Sequence, residues 1–340
     1  MPEREWFVRL PKAELHVHLD GSLRPSTLLD LARAADVELP ASDAESIRRA
    51  FRVDDARDLA DYLARFAVTV AVLQTPEALE RVAYEMMADA SADGVRYLEI
   101  RYCPLLSCAL GLTLDEVLPA IGRGIRRGAA DHAVRGGLIC CTLRHLMPSD
   151  SEAIAEAAVR HRADGVLGFD IAGGEATHSA APHRHAFEIA ARGGLGITVH
   201  AGEAAGPESV AEAIFDCRAD RIGHGTRLFE DPALMAYVRD REIPIEINLT
   251  SNLQTRVVSS AGVHPLRRYL NEGLTVTLSS DNWLMSDVTL SSEYALAMAA
   301  LGLTRQEVET LLLTGFRAGF IARPEREALL HRARVALEGL

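Results

Sequence analysis

Short apolar runs recur along the chain at wide intervals, and the stretches between them carry the spacing of amphipathic helices. Eight runs stand out, at 13–18, 95–103, 138–143, 166–171, 195–200, 220–224, 243–248 and 274–280. Most are close to continuously apolar rather than cleanly alternating, the pattern of parallel strands covered on both faces. Between them, Leu59, Leu63, Phe66, Val70 and Leu73 repeat at helical spacing and predict one apolar helix face. Pro76 behind Thr75, and Pro207 behind Gly206, sit where a proline opens a helix. Thr304 and Glu307 have the form of a capping box ahead of VETLLLTGF.

Eight strand–helix units in 340 residues predict an α/β fold, a (β/α)8 TIM barrel forming one domain over residues 1–340. A doubly wound dinucleotide fold would need GxGxxG after an early strand, and the first strand here ends in HVHLDG. Residues 21–94 are too many for one crossover, so they are expected to form a helical insertion after strand 1 that can cover the barrel mouth. No internal repeat, low-complexity tract or linker divides the chain.

The formal charge of −12 disfavours a long polyanion gripped through its phosphates, so nucleic acid is not an expected partner. A small nucleoside needs only a local pocket and stays allowed. Cys103, Cys108, Cys140, Cys141 and Cys217 contain no CxxC pair and read as free thiols of a reducing compartment. The N-terminus is charged from its third residue, unlike a signal peptide, and apolar runs break before the roughly 18 residues a bilayer span needs. A cytoplasmic protein with no membrane partner is expected, and a homo-oligomer is allowed.

Four strand ends carry polar residues that a core does not need: His16 with His18, His200 with Glu203, His224, and Asp281. All fall at carboxyl ends, where barrel enzymes build their sites. Period two puts His16 and His18 on one side of their strand. Alone, each histidine reads equally well as a hydrogen-bonded core residue. Together, His16, His18, His200 and Asp281 offer three nitrogens and a carboxylate from strands 1, 5 and 8, a zinc-type set with room for water. Glu203 is placed to pass a proton to a substrate ring, and His224 to orient the water or act as its base. Gly223 and Gly225 around His224 permit close backbone approach.

The motifs PKAELHVHLDGS, EIRYCP, GFDIAGGE, TVHAGE, RIGHGTRL, TSNLQT and VTLSSDN follow one another in order over nearly the whole chain. In these the sequence resembles the adenosine deaminase family. The resemblance implies one Zn2+ per chain held by His16, His18, His200 and Asp281. It implies catalytic roles for Glu203, His224 and Asp281. It places Asp20 toward the sugar, Gly173 at purine N3 and Asn282 at purine N7, with His18 also on the substrate side. The implied reaction is hydrolytic loss of the 6-amino group of an aminopurine nucleoside, adenosine or deoxyadenosine giving inosine or deoxyinosine and ammonia. One position departs. The better-known eukaryotic members have two consecutive aspartates where this chain has Asp281-Asn282, followed by Trp283.

Other readings keep part of this. The same chemistry would serve 6-aminodeoxyfutalosine, on a menaquinone route, or free adenine. An amidase- or phosphotriesterase-type hydrolase would usually want a second metal, and strand 4 ends in Asp170-Ile171-Ala172-Gly173 without a bridging lysine. A zinc-stabilised nucleoside-binding protein is the non-enzymatic alternative. The intact catalytic positions argue against it.

Overall fold

The computed structural model describes residues 3–54 and 56–339. Eight parallel strands follow one another in chain order: β1 Lys12–His18, β2 Val95–Tyr102, β3 Arg135–Leu143, β4 Val166–Ala172, β5 Gly196–Ala201, β6 Arg221–His224, β7 Ile245–Ile247 and β8 Val276–Leu278. Just beyond β8 the chain returns to β1. Asp281 N–H donates to the His16 carbonyl at 2.9 Å, and His18 N–H to the Asp281 carbonyl at 2.8 Å. A parallel bridge pairs Val17 with Asp281. The sheet therefore closes as the expected barrel, and its seam lies at the residues expected to do chemistry.

All eight predicted runs become strands, but the character of their inner positions differs from the expectation. The outward residues of β1, such as Leu15 and Val17, pack into apolar clusters with the surrounding helices. The barrel interior is ionic rather than apolar. Glu99, Arg101, Asp170, Arg221 and Glu246 are all at most 1% exposed. Arg221 donates to Glu246 at 2.6 Å and to Glu99, and Arg101 donates to Asp170 at 2.8 Å and to Glu246. Buried charges are tolerable only when paired and hydrogen-bonded like this, because a buried ion stripped of its partner costs about 3–5 kcal/mol.

Between β1 and β2 lie the helices Pro25–Ala35, Ala44–Phe51, Leu59–Leu63, Phe66–Ala71 and Pro76–Ala92. Thr75 caps the last through Ala78 N–H, and Thr304 and Glu307 cap Arg305–Ala318 reciprocally. Helix Pro207–Phe215 begins at Pro207. The apolar stripe at 59–73 does not make one helix. It breaks at Ala64-Arg65 into two short helices, and Leu59, Leu63, Phe66 and Val70 line a cavity over the barrel mouth, with Leu63 and Phe66 also touching the core. Helices of five and six residues have no stability of their own, so packing over the mouth holds them.

Among the described residues no helix is long and apolar enough to cross a membrane. All five cysteines are free.

Candidate active site

The closed seam brings the strand-end residues together. His16, His200, His224 and Asp281 each offer an atom within 4.8 Å of the others, and all four are buried. His18 Nε2 stands 3.1 Å from His200 Nε2 and 3.5 Å from Asp281 Oδ1, while His16 Nε2 is 3.6 Å from the same oxygen. The five groups thus surround one small space. His224 (φ 64) and Asp281 (φ 64) both occupy the left-handed region. For side chains other than glycine that strain costs about 1–3 kcal/mol each, and it persists where surrounding structure enforces it at a functional site.

The interior ion network holds the rings. His16 Nδ1 is 3.0 Å from Glu246 Oε2, and His200 Nδ1 is 3.0 Å from Asp170 Oδ2. Each ring therefore carries its proton on Nδ1 and turns an Nε2 lone pair to the cluster. Carboxylate–histidine pairs of this kind orient metal ligands and raise their basicity. His16 Nε2 is buried with no hydrogen-bond partner. An orphaned lone pair facing two more imidazoles and a carboxylate fits a borderline cation, and the set of nitrogens with one oxygen is that of zinc. Burial, reinforced by neighbouring imidazoles and Arg101, pushes His16, His18 and His224 well below the ordinary histidine range, so the rings are neutral as ligation requires. Gly223 leaves the room: a Cβ there would meet His16 Cε1 at 3.0 Å and the His200 Cα at 3.2 Å.

Glu203 lies on the loop after β5, 4% exposed, with Oε2 3.7 Å from His224 Nε2. Burial first, then the charges of Asp281 and Glu175, raise its carboxyl well above the usual carboxylate range. The loop is tied down by Glu175. That side chain accepts N–H groups from Gly202 at 2.6 Å, Glu203 at 2.9 Å, Ala204 at 2.6 Å and Ala205 at 3.0 Å.

Over the cluster lies a cavity of about 540 Å³. His18, Asp20, Gly173, His200, Glu203, His224, Asp281 and Asn282 all line it. Its far wall is apolar, formed by the two short helices with Leu106 and Leu143. Among the described residues no arginine or lysine lines it, while His145 does. Burial raises the Asp20 carboxyl to about 7. Asn282 is packed on Gly21, where a Cβ would fall 1.7 Å from Asn282 Oδ1, so only glycine admits the amide. Trp283 is not in the wall; its indole N–H donates to Ser280 Oγ at 2.7 Å.

The chain belongs to the adenosine deaminase family. The family model described as adenosine deaminase matches residues 11–335. The chain is 41% identical over 336 residues to an adenosine deaminase of Mycobacterium leprae, covering 94% of this chain and 93% of that one. It is 43% identical over 316 residues to a probable adenosine deaminase of Dictyostelium discoideum, covering 93% of this chain but only 41% of that longer protein. The crystal structure of an adenine deaminase from Arthrobacter aurescens superposes with a TM-score of 0.90 at 25% identity, covering 97% of this chain and 99% of the other. With the metal cluster at the barrel mouth, this makes the chain a metal-dependent hydrolase of that family.

Four buried charges that hold the site carry no role legible from the sequence alone. Asp170 and Glu175 stand in GFDIAGGE, Arg101 in EIRYCP, and Glu246 in β7. Their signal was a charge at an inward position of an otherwise apolar strand, or an acidic residue just past one.

Proposed function

We propose that this chain hydrolyses the 6-amino group of a neutral aminopurine nucleoside, adenosine or deoxyadenosine, giving the 6-oxo nucleoside and ammonia. His16, His18, His200 and Asp281 would hold the zinc. Zinc bound there supplies a water acidified toward neutral pH. Glu203 gives a proton to the ring nitrogen next to C6, which makes that carbon electrophilic. His224 and Asp281 orient the incoming oxygen. The C6–O bond forms and the C6–N bond breaks; of the two protons of water, one leaves with the amine as ammonia and the other restores the Glu203 carboxyl. Asp20 meets the sugar, Gly173 the purine N3 edge and Asn282 N7. We place the reaction in the cytoplasm, within one domain whose 21–94 insertion covers the mouth.

The observation that carries the substrate choice is the cavity wall. A 5′-phosphate or the benzoate of 6-aminodeoxyfutalosine would meet leucines and a phenylalanine, with no guanidinium or ammonium among the described lining residues to pair it and only the exposed, ordinarily neutral imidazole of His145 nearby. Free adenine would leave Asp20 and the apolar wall unused.

The test is a side-by-side comparison of kcat/KM on adenosine, deoxyadenosine, adenine, AMP and 6-aminodeoxyfutalosine, followed by ultraviolet absorbance. The nucleosides should lead. Preference for 6-aminodeoxyfutalosine would overturn the reading, and an unchanged purine spectrum with all five would favour a binding protein.

A further inference from the structure

His224 stands in the same cluster as the metal-holding histidines, yet its hydrogen bonds set it apart. Its Nδ1 meets no carboxylate. It faces the amide nitrogens of Asn252 at 3.0 Å and Asn248 at 3.3 Å. Which end of an asparagine is nitrogen is ordinarily an assignment from the surrounding network. Here the network is anchored at both ends by backbone atoms whose roles are fixed.

The first anchor is Leu266. Its backbone N–H is 3.1 Å from His264 Nδ1 and can only donate, so that nitrogen holds a lone pair. The proton of His264 is then on Nε2, 3.2 Å from Asn252 Oδ1. An N–H there requires the acceptor end of the amide, which fixes Asn252 Nδ2 toward His224. The second anchor is the Glu246 carbonyl, an acceptor only, 3.4 Å from Asn248 Nδ2. Asn248, Asn252 and His264 are all at most 3% exposed, so water does not compete along the chain.

Two amide donors on one ring nitrogen make His224 Nδ1 an acceptor and leave its single proton on Nε2. That is the reverse of His16 and His200, whose Nδ1 atoms face carboxylates. Three rings a few ångströms apart are thereby sorted by their outer partners. Two present lone pairs to the cluster, and one presents an N–H.

We propose that Asn252 and His264 are positioning residues that lock His224 in its Nε2–H form, so that His224 serves as a hydrogen-bond donor to the reacting oxygen and neither ligates the metal nor accepts the proton of water. Ligation of zinc by nitrogen then falls to His16, His18 and His200. Acceptance of the water's proton falls to the Asp281 carboxylate.

The decisive measurement is the 15N spectrum of imidazole-labelled, zinc-loaded enzyme, with His224 assigned by comparison with His224→Asn. The expected His224 signals are an unprotonated Nδ1 and a protonated Nε2. A proton on Nδ1 overturns the proposal, and this wild-type reading stands even where a variant does not fold. Asn252→Asp is nearly isosteric, but its carboxylate accepts on both sides. It should draw the His224 proton to Nδ1, with kcat falling at least tenfold and KM changing little. An inverted tautomer with native kcat would also overturn the proposal. Only the activity arm rests on the proposed deaminase reading. If no aminopurine is turned over, that reading fails while the wild-type spectrum still decides the tautomer.

Discussion

The carboxylate of Glu175 accepts the backbone N–H of Glu203 at 2.9 Å, and with it the N–H groups of three further residues of the same loop. One side chain from the end of β4 therefore sets where the proton-transfer group of β5 stands. Replacing it with glutamine puts an NH2 against backbone donors, and the loop must shift. Misplacement by about 1 Å can cost roughly a hundredfold in rate. Glu175→Gln is expected to lose between ten- and a hundredfold in kcat on adenosine with zinc content unchanged. Native kcat would mean that the loop is held by other contacts.

Glu203 itself should matter more. Glu203→Gln keeps the shape and removes the acidic proton. Groups in this role contribute about 10²–10⁴ in rate. The expected result is a fall in kcat of at least about a hundredfold, with zinc bound as before. Turnover near that of the native enzyme would show that the ring takes its proton elsewhere.

The metal should report on residues that never touch it. Asp170→Asn removes the carboxylate that orients His200 Nδ1, and losses of such outer partners typically weaken metal affinity about 10–100-fold. Competition with a chelator should release zinc from this variant at correspondingly lower chelator concentration. Metal-free native enzyme should be inactive and recover on adding zinc. Full activity without metal would end the proposed mechanism.

How much of this was legible in the sequence follows from where each signal lives. Strand positions and the His16-Val17-His18 pair are local patterns of period two, readable without a partner. The ion pairs of Arg101 with Asp170, and of Arg221 with Glu99 and Glu246, join strands far apart in sequence. A charge in an apolar run reads alone as an exception, and only barrel closure shows that the exceptions face one another. The 59–73 stripe failed differently. Its spacing is helical and its apolarity real, but periodicity does not say whether an apolar face meets a core or a ligand cavity. Asn252 and His264 carry no local signal, since their role is defined by which of their atoms faces which neighbour.

Lys12 gives a prediction on stability. It is fully buried, its ammonium donating to the carbonyls of Phe7 at 2.7 Å and Leu10 at 2.9 Å at the end of helix Glu3–Arg9. Burial lowers its pKa from the ordinary 10.5 to about 8. Between these values the unfolded chain binds the proton that the folded chain has released, so folding stability rises with pH across that window. The full gain is about 3 kcal/mol. Urea unfolding of native protein and Lys12→Met at pH 7.5 through 10.5 isolates it. The difference between them should move in favour of the native protein as pH rises, and a flat difference would show that the carbonyls keep Lys12 charged throughout.

Asn282 offers a test of how the purine lies. Its amide packs against Gly21 and lines the cavity. Purine N7 is an acceptor only. A carboxylate at this position could meet N7 favourably only when protonated, whereas an amide offers an N–H at any neutral pH. Its neighbour Asp281 faces the metal cluster, so the two adjacent residues do different work. The measurement pairs adenosine with its 7-deaza analogue, which has C–H where N7 was. On the native enzyme the analogue leaves the amide donor unsatisfied in a closed site, a loss of roughly 1–3 kcal/mol in kcat/KM. In Asn282→Ala the donor is already gone, so the two substrates should converge, with adenosine losing more than the analogue does. An equal penalty in both proteins would show that Asn282 does not reach N7 and that the five-membered ring lies elsewhere over the barrel mouth.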